Sequence, residues 1–339
     1  MRRVIALAVL AACCAGASPV FSADKQAVRV GVTDRPDNAA LMIAYRRGYF
    51  EKQGIDLQLV GGGNAAQDFV AALSLGQIDV TNGSPSAGLF NALNRGIDIR
   101  IVGDWARVAG TDDATFAIVA RKDLMDTGAV KSAADLKGRP VGIGPVHGGF
   151  NDILIGEALR KVGLTVNDID QEIIGFGDGV AALADKKVAA TELIEPLVTL
   201  AAQKQVGRVL VAAGAVAPGA ELAVVYFSAG FAQKTELATR YLAAFLEGER
   251  DYADAFFGGK NRDAVIQLLV ENTSMKDAAL WAAIHPQHAD LNGEVDVANL
   301  RMQAEFYRKA GMLTGPVPDI DKYVDTRFAA GAVKIIGRR

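Results

Sequence analysis

The sequence predicts an α/β protein of two lobes, each a mostly parallel sheet flanked by helices. Three observations carry that expectation. Short apolar strands alternate with helical stretches from Val28 onward, the arrangement that covers a parallel sheet on both faces. The alternation runs twice, over about 28–102 and again over about 132–211. Two extended apolar segments, ATFAIVA at 114–120 and LAVVYF at 222–227, stand where a chain would pass between two such units. With 339 residues, 50% of them hydrophobic, the chain has ample material for two cores.

Each element has its own local reason. Residues 28–32 read as a strand, and the loop 33–37 leads into a helix over 38–47, which Gly48 ends as a left-handed cap. A strand at 55–60, the turn Gly61-Gly62-Gly63, and a helix over 65–75 closed by Gly76 follow. After a strand at 78–81, Ser84-Pro85 supplies an N-cap and a first-turn proline for a helix running to Asn94. A strand at 99–102 completes this block. In the second block, Ser132 to Asp135 has the shape of a capping box. Then come a strand at 141–143, a helix over 150–162 with Gly163 as its cap, and apolar Ile173-Ile174. A helix at 180–184, a strand at 188–193, a helix at 197–203 and a strand at 208–211 complete it. The lobes are expected at 28–112 joined by 226–339, and at 121–220, with crossovers at 113–120 and 221–227. Beyond about 233 the chain reads as largely helical.

The N-terminus addresses the compartment. Arg2 and Arg3 precede an uninterrupted apolar run, 4–12, too short to span a bilayer of ~30 Å, and small residues follow. This reads as an export signal covering 1–23. Ala15-Gly16-Ala17 fits a small-x-small cleavage site. Leu10-Ala11-Ala12-Cys13 also matches a lipoprotein box with Cys13 as the lipid anchor; the short apolar run favours the soluble form. Cys13 and Cys14 are the chain's two cysteines, so the body beyond them has no disulfide, thiolate nucleophile or cysteine-bound metal. The formal net charge is −3 and no basic stretch stands out, which excludes nucleic acid as a partner.

Four segments in order carry a resemblance. Ala44 to Ile55 reads AYRRGYFEKQGI, Leu73 to Val80 reads LSLGQIDV, Ala134 to Gly142 reads ADLKGRPVG, and Glu195-Pro196 follows. Together they resemble the periplasmic substrate-binding proteins of ABC importers, in the group tied to nitrate, sulfonate, taurine and thiamine-precursor uptake. The resemblance covers about residues 28–227 and extends loosely into the helical tail. It implies a type II-like binding protein: a monomer without cofactor or catalytic step, which captures a small solute between its lobes and delivers it to a membrane permease. One departure stands out. Where the group repeats a G-x-V-D-A element before Glu-Pro, Asp185 to Ala190 reads DKKVAA.

Ligands of open parallel sheets bind beyond the carboxyl ends of the strands. The loops there nominate Thr33, Arg35 and Asn38, then Gly83 and Ser84, then Trp105. They also nominate His147, Gly148, Gly149 and Phe150, then Glu195, with Tyr226 on the returning segment. Arg35 is either an oxyanion clamp or an exposed loop arginine. Trp105 either stacks on a planar ligand or packs in the core. Glu195 reaches a cationic ligand group or a hinge partner. His285 and His288 lie at i,i+3, but no third ligand is evident and no metal site is expected. The stretch VGIGPVHGGFND (141–152) begins like a dinucleotide fingerprint, yet His147 replaces the third glycine and no clear acidic residue follows ~20 positions on. It is expected to bind the electron-rich end of a solute through the N-terminus of the following helix. The solute is a sulfonate, nitrate or carboxylate; the alternatives are a thiamine-pyrimidine precursor or aromatic acid, or a sensor role presenting ligand to a receptor. An enzyme reading has a precedent in the fungal thiamine-pyrimidine synthases, but their cysteine-rich motif is absent.

Overall fold

The computed structural model describes residues 25–33, 35–61, 66–144 and 147–339. The expected export signal and the Cys13 box lie outside the described residues, as do Asp34, Gly62 to Ala65 and Pro145-Val146. The first unit runs β1 (Gln26–Gly31), α1 (Ala39–Arg46), α2 (Tyr49–Lys52), β2 (Ile55–Val60), α3 (Ala66–Ser74), β3 (Val80–Gly83), α4 (Ala87–Asn94) and β4 (Ile99–Arg107). The second opens with β5 (Phe116–Arg121), α5 (Lys122–Asp126), β6 (Pro140–Ile143), α6 (Phe150–Arg160) and β7 (Asp170–Ile173). It continues through α7 (Phe176–Ala184), β8 (Ala190–Ile194), α8 (Leu197–Gln203), β9 (Gly207–Ala212) and α9 (Ala213–Val216). Then β10 (Glu221–Ser228) precedes a helical tail: α10 (Ala229–Gln233), α11 (Thr235–Phe256), α12 (Arg262–Asn272), α13 (Ala278–Ala283), α14 (Val297–Lys309) and α15 (Arg327–Ile336). No helix among the described residues is long and apolar enough to cross a membrane.

The strands form two five-stranded sheets, ordered β2-β1-β3-β10-β4 and β7-β6-β8-β5-β9. In each, three strands run parallel and one reversed strand follows. The reversed strand is in both cases the one that arrives after the chain changes sheets. The segments expected as crossovers, 113–120 and 221–227, therefore hold central strands. β5 pairs with β8 and β9, and β10 with β3 and β4. Their apolar character reflects burial within a sheet rather than passage between sheets. The chain itself passes at 108–115 and 213–220.

The two sheets repeat one local design. Asp79 donates its amide to the Arg29 carbonyl at 2.8 Å, and Ala189 to the Pro140 carbonyl at 2.8 Å. The Thr81 hydroxyl donates to the Gly31 carbonyl at 2.9 Å, and Thr191 to Gly142 at 3.3 Å. In the first sheet Asp79 also holds the Arg29 guanidinium; in the second, Pro140 stands in the place of Arg29, so there is no guanidinium for a carboxylate at Ala189 to hold.

The first core lies between the first sheet and α1, α11 and α15. Helix α11 carries its buried side chains, among them Tyr241, Leu242, Phe245, Tyr252 and Phe256, at helical spacing along one stripe. A second core is shared by both units, joining Phe90 of α4, Ile118 of β5, Leu154 of α6 and Tyr307 of α14. Helix α14 thus spans the two units, a role its sequence did not signal.

Candidate functional site

Beyond the carboxyl ends of both sheets' parallel strands lies a cleft of about 730 Å³, lined from both units. Thr33 follows β1, Gly83 and Ser84 end β3, Trp105 sits in β4, and Tyr226 in β10. Facing them are Phe116, the α6 N-terminus at Gly149, Phe150 and Asn151, Phe176 at the start of α7, and Glu195 after β8. The helical tail closes the wall with Glu249, Tyr252, Trp281, His285 and Gln287. Nine of the sequence-nominated residues line this space: Thr33, Arg35, Gly83, Ser84, Trp105, Gly149, Phe150, Glu195 and Tyr226.

Three nominated residues do not line it. Asn38 is buried behind the first loop, its amide donating to the Thr33 carbonyl at 2.7 Å, so it shapes that loop. The His147 side chain is 63% exposed, 3.6 Å from Asp152. The amide of Gly148 is bonded to the Asp152 carboxylate, and its carbonyl accepts from Ala87 N–H of the other unit at 2.8 Å. The expectation that the Gly148 amide meets solute fails because a side chain already holds it.

Within the cleft the nominated residues sort by chemistry. Ser84 is not the N-cap expected. Ser86 caps α4 by accepting from Leu89 N–H, because the helix starts two residues later. Among the described residues the buried Ser84 hydroxyl has no partner, while its carbonyl accepts from the Tyr226 phenol at 3.0 Å. Burial raises the Tyr226 phenol, so it stays a neutral donor. Arg35 pairs with Asp37 at 2.8 Å and is 53% exposed, which leaves it at the rim. Trp105 packs in the core, stacking on Phe245 with ring centroids 4.6 Å apart, and also borders the cleft.

Glu195 has found a protein partner. Its carboxylate accepts from the Thr199 hydroxyl at 2.8 Å and lies 2.6 Å from Nδ1 of His285, which belongs to the tail. That hydrogen bond raises the His285 imidazole above its ordinary value. His288 stacks on Phe257 instead.

Sequence reasoning missed Asn151 and Glu249. The Asn151 side-chain amide is buried, without a partner among the described residues, in the first turn of α6, whose N–H groups have no acceptor inside the helix. Glu249 is a charged residue on the apolar stripe of α11, and that mismatch was a readable signal. Behind α6, Glu192 accepts from Gly144 N–H at 3.0 Å; burial, with Asp152 nearby, raises its carboxyl well above the usual range.

The comparisons with known proteins fit this geometry. The chain is 23% identical over 307 residues to a Haemophilus influenzae protein provisionally assigned to thiamine biosynthesis, covering 87% of this chain and 90% of that one. The periplasmic aliphatic sulphonate binding protein SsuA of Escherichia coli superposes with a TM-score of 0.72 at 21% identity, over 89% of this chain and 92% of that one. The periplasmic nitrate-binding protein NrtA of Synechocystis PCC 6803 gives 0.71 at 16% identity, over 92% and 89%. The desulfurization enzyme DSZB gives 0.65 at 19%, over 92% and 99%. At these identities the structures speak to the fold, which binding proteins and an enzyme share. A family model described as NMT1/THI5 like matches residues 35–255, well over half the chain, and the protein belongs to that family.

Proposed function

We propose that the protein is the solute-binding component of an ABC-type importer, working in the periplasm and handing a small organic molecule to a membrane permease. The observation that carries this reading is the pair of unused buried donors on opposite walls of one cleft, the Ser84 hydroxyl and the Asn151 amide. With the first turn of α6 they form a place for the electron-rich end of a solute, a carboxylate, sulfonate or carbonyl. The remaining wall is rich in rings, including Phe116, Phe150, Phe176, Tyr226 and Trp281. An ion the size of nitrate would leave most of 730 Å³ unfilled, so the solute has an apolar organic body.

A thermal-shift screen of carboxylates, sulfonates and neutral heterocycles tests this, because a compound that binds only the folded state raises the melting temperature. Ser84→Ala and Asn151→Ala should each weaken the best hit by roughly twofold to tenfold, the worth of one hydrogen bond. Neither should lower the stability of the unliganded protein by more than about 0.5 kcal/mol, since neither group has a partner to lose. A hit whose affinity is unchanged in the double variant would remove the donors from the site.

A further inference from the structure

Glu249 lies on the wall of the same cleft, one helical turn past Phe245 and one before Tyr252 on α11. It is 3% exposed, and its Oε1 has no hydrogen-bond partner among the described residues. Three residues that share this wall, Trp105, Trp281 and Gln287, have N–H donors committed elsewhere. The Trp105 indole donates to the Asp37 carbonyl at 3.0 Å, and the Trp281 indole to the Met275 carbonyl at 3.0 Å. The Gln287 side-chain amide donates to the Trp105 carbonyl at 2.9 Å, and its backbone amide to the Tyr252 phenol at 3.2 Å. A buried carboxyl oxygen without a donor is expensive to keep, and such groups ask for an explanation.

We propose that Glu249 is the specificity residue of the cleft, taking an amine or amidine nitrogen carried on a planar apolar solute. This rests on the solute-binding reading above and names the other end of the same ligand. Planarity follows from the rings that line the same cleft, Trp105, Tyr252 and Trp281. The preference for a donor, and for a cationic one, follows from the field. Asp104 is fully buried and adds negative charge near Glu249, and together with burial it lifts the Glu249 carboxyl well above the usual range. Arg107, the cation that pairs with Asp104, is turned to Asp104 and the Glu294 carbonyl. A protonated nitrogen arriving from solution supplies the missing partner and, as an opposite charge beside the carboxyl, favours its ionised form.

Both tryptophans of the chain, Trp105 and Trp281, line the cleft, so intrinsic fluorescence reports its occupancy. The full chain is titrated with benzamidine, benzyl alcohol and benzoate, three probes with one ring and different ends. Benzamidine should bind at least about tenfold tighter than benzyl alcohol, the range for a hydrogen bond to a charged group. Glu249→Gln should abolish that preference and change benzoate affinity less than about twofold, since benzoate docks at α6. Equal affinities for benzamidine and benzyl alcohol in the parent protein would overturn the role of Glu249 while leaving the cleft as a binding site. If none of the three probes changes the fluorescence, the role of Glu249 and the solute-binding reading fall together. Should Glu249→Gln fail to fold, the comparison of probes on the parent protein still decides.

Discussion

At Gly148 the backbone takes φ of +86°, a region that side chains with a Cβ rarely adopt. A Cβ built there would lie 2.6 Å from the Cβ of Ala87, at the start of α4 in the other unit. Ala87 N–H donates across the same gap to the Gly148 carbonyl. Gly148→Val is therefore expected to push α4 away from the loop before α6 and to oppose closure, not to block an anion. Small-angle scattering of the ligand-saturated variant should give a larger radius of gyration than the parent under the same conditions. A radius equal to the parent's, with affinity lost, would return Gly148 to direct ligand contact. The glycines of VGIGPVHGGFND announced a close backbone approach correctly. What approaches is another part of the protein, and no single-chain pattern distinguishes a ligand from a neighbouring helix.

Elements show the same division between what local sequence carries and what packing decides. Strand-helix alternation was legible because period and caps are local, and the Ser132–Asp135 capping box formed as read. The Ser84-Pro85 start was misread because Ser86 offers the same cap chemistry two residues later, and only the tertiary position of α4 chooses between them. The reversal of β5 and β10 is a property of sheet order, invisible in an apolar run. Glu249, a charge on an apolar stripe, was passed over in the sequence, and its meaning required the cleft. Two predictions belong to this scale. A Cβ on Gly248 would lie 2.3 Å from the Ala40 carbonyl oxygen, so α11 and α1 meet there backbone to backbone. Gly248→Ala should lower stability to chemical denaturant by about 1–3 kcal/mol with little change in denaturant slope. Lys186 holds φ of 60° at the position where the first unit has Gly76 at 66°. Lys186→Gly should relieve that strain and raise stability by up to about 1 kcal/mol, read as a higher melting temperature. A lower melting temperature would mean that the Lys186–Asp123 contact at 3.5 Å outweighs the strain.

At the scale of the molecule, the contacts between the two units include the Ala87–Gly148 hydrogen bond, the Glu195–His285 pair and the shared core beneath α14. We propose that the two sheets, each with its helices, move as lobes about the passages at 108–115 and 213–220, and that ligand favours the closed arrangement. The Glu195–His285 pair then makes closure sensitive to pH, with a sign fixed by chemistry. The His285 imidazole is raised above 6.5 by its hydrogen bond to Glu195, aided by the nearby charge of Asp113 and opposed by partial burial. A raised imidazole stabilises the closed form fully below its ordinary value, and that stabilisation is lost as pH rises through the raised value. His285 is half exposed, so solvent screening keeps the contribution under about 1 kcal/mol. Without ligand, the radius of gyration should therefore increase as the solution is taken from mildly acidic to mildly alkaline pH. His285→Gln, which keeps a hydrogen-bonding side chain but cannot gain the charge, should flatten that dependence. An expansion on acidification, or an undiminished dependence in His285→Gln, would place the pH-sensitive contact elsewhere and leave Glu195 to orient the loop after β8 through Thr199 alone.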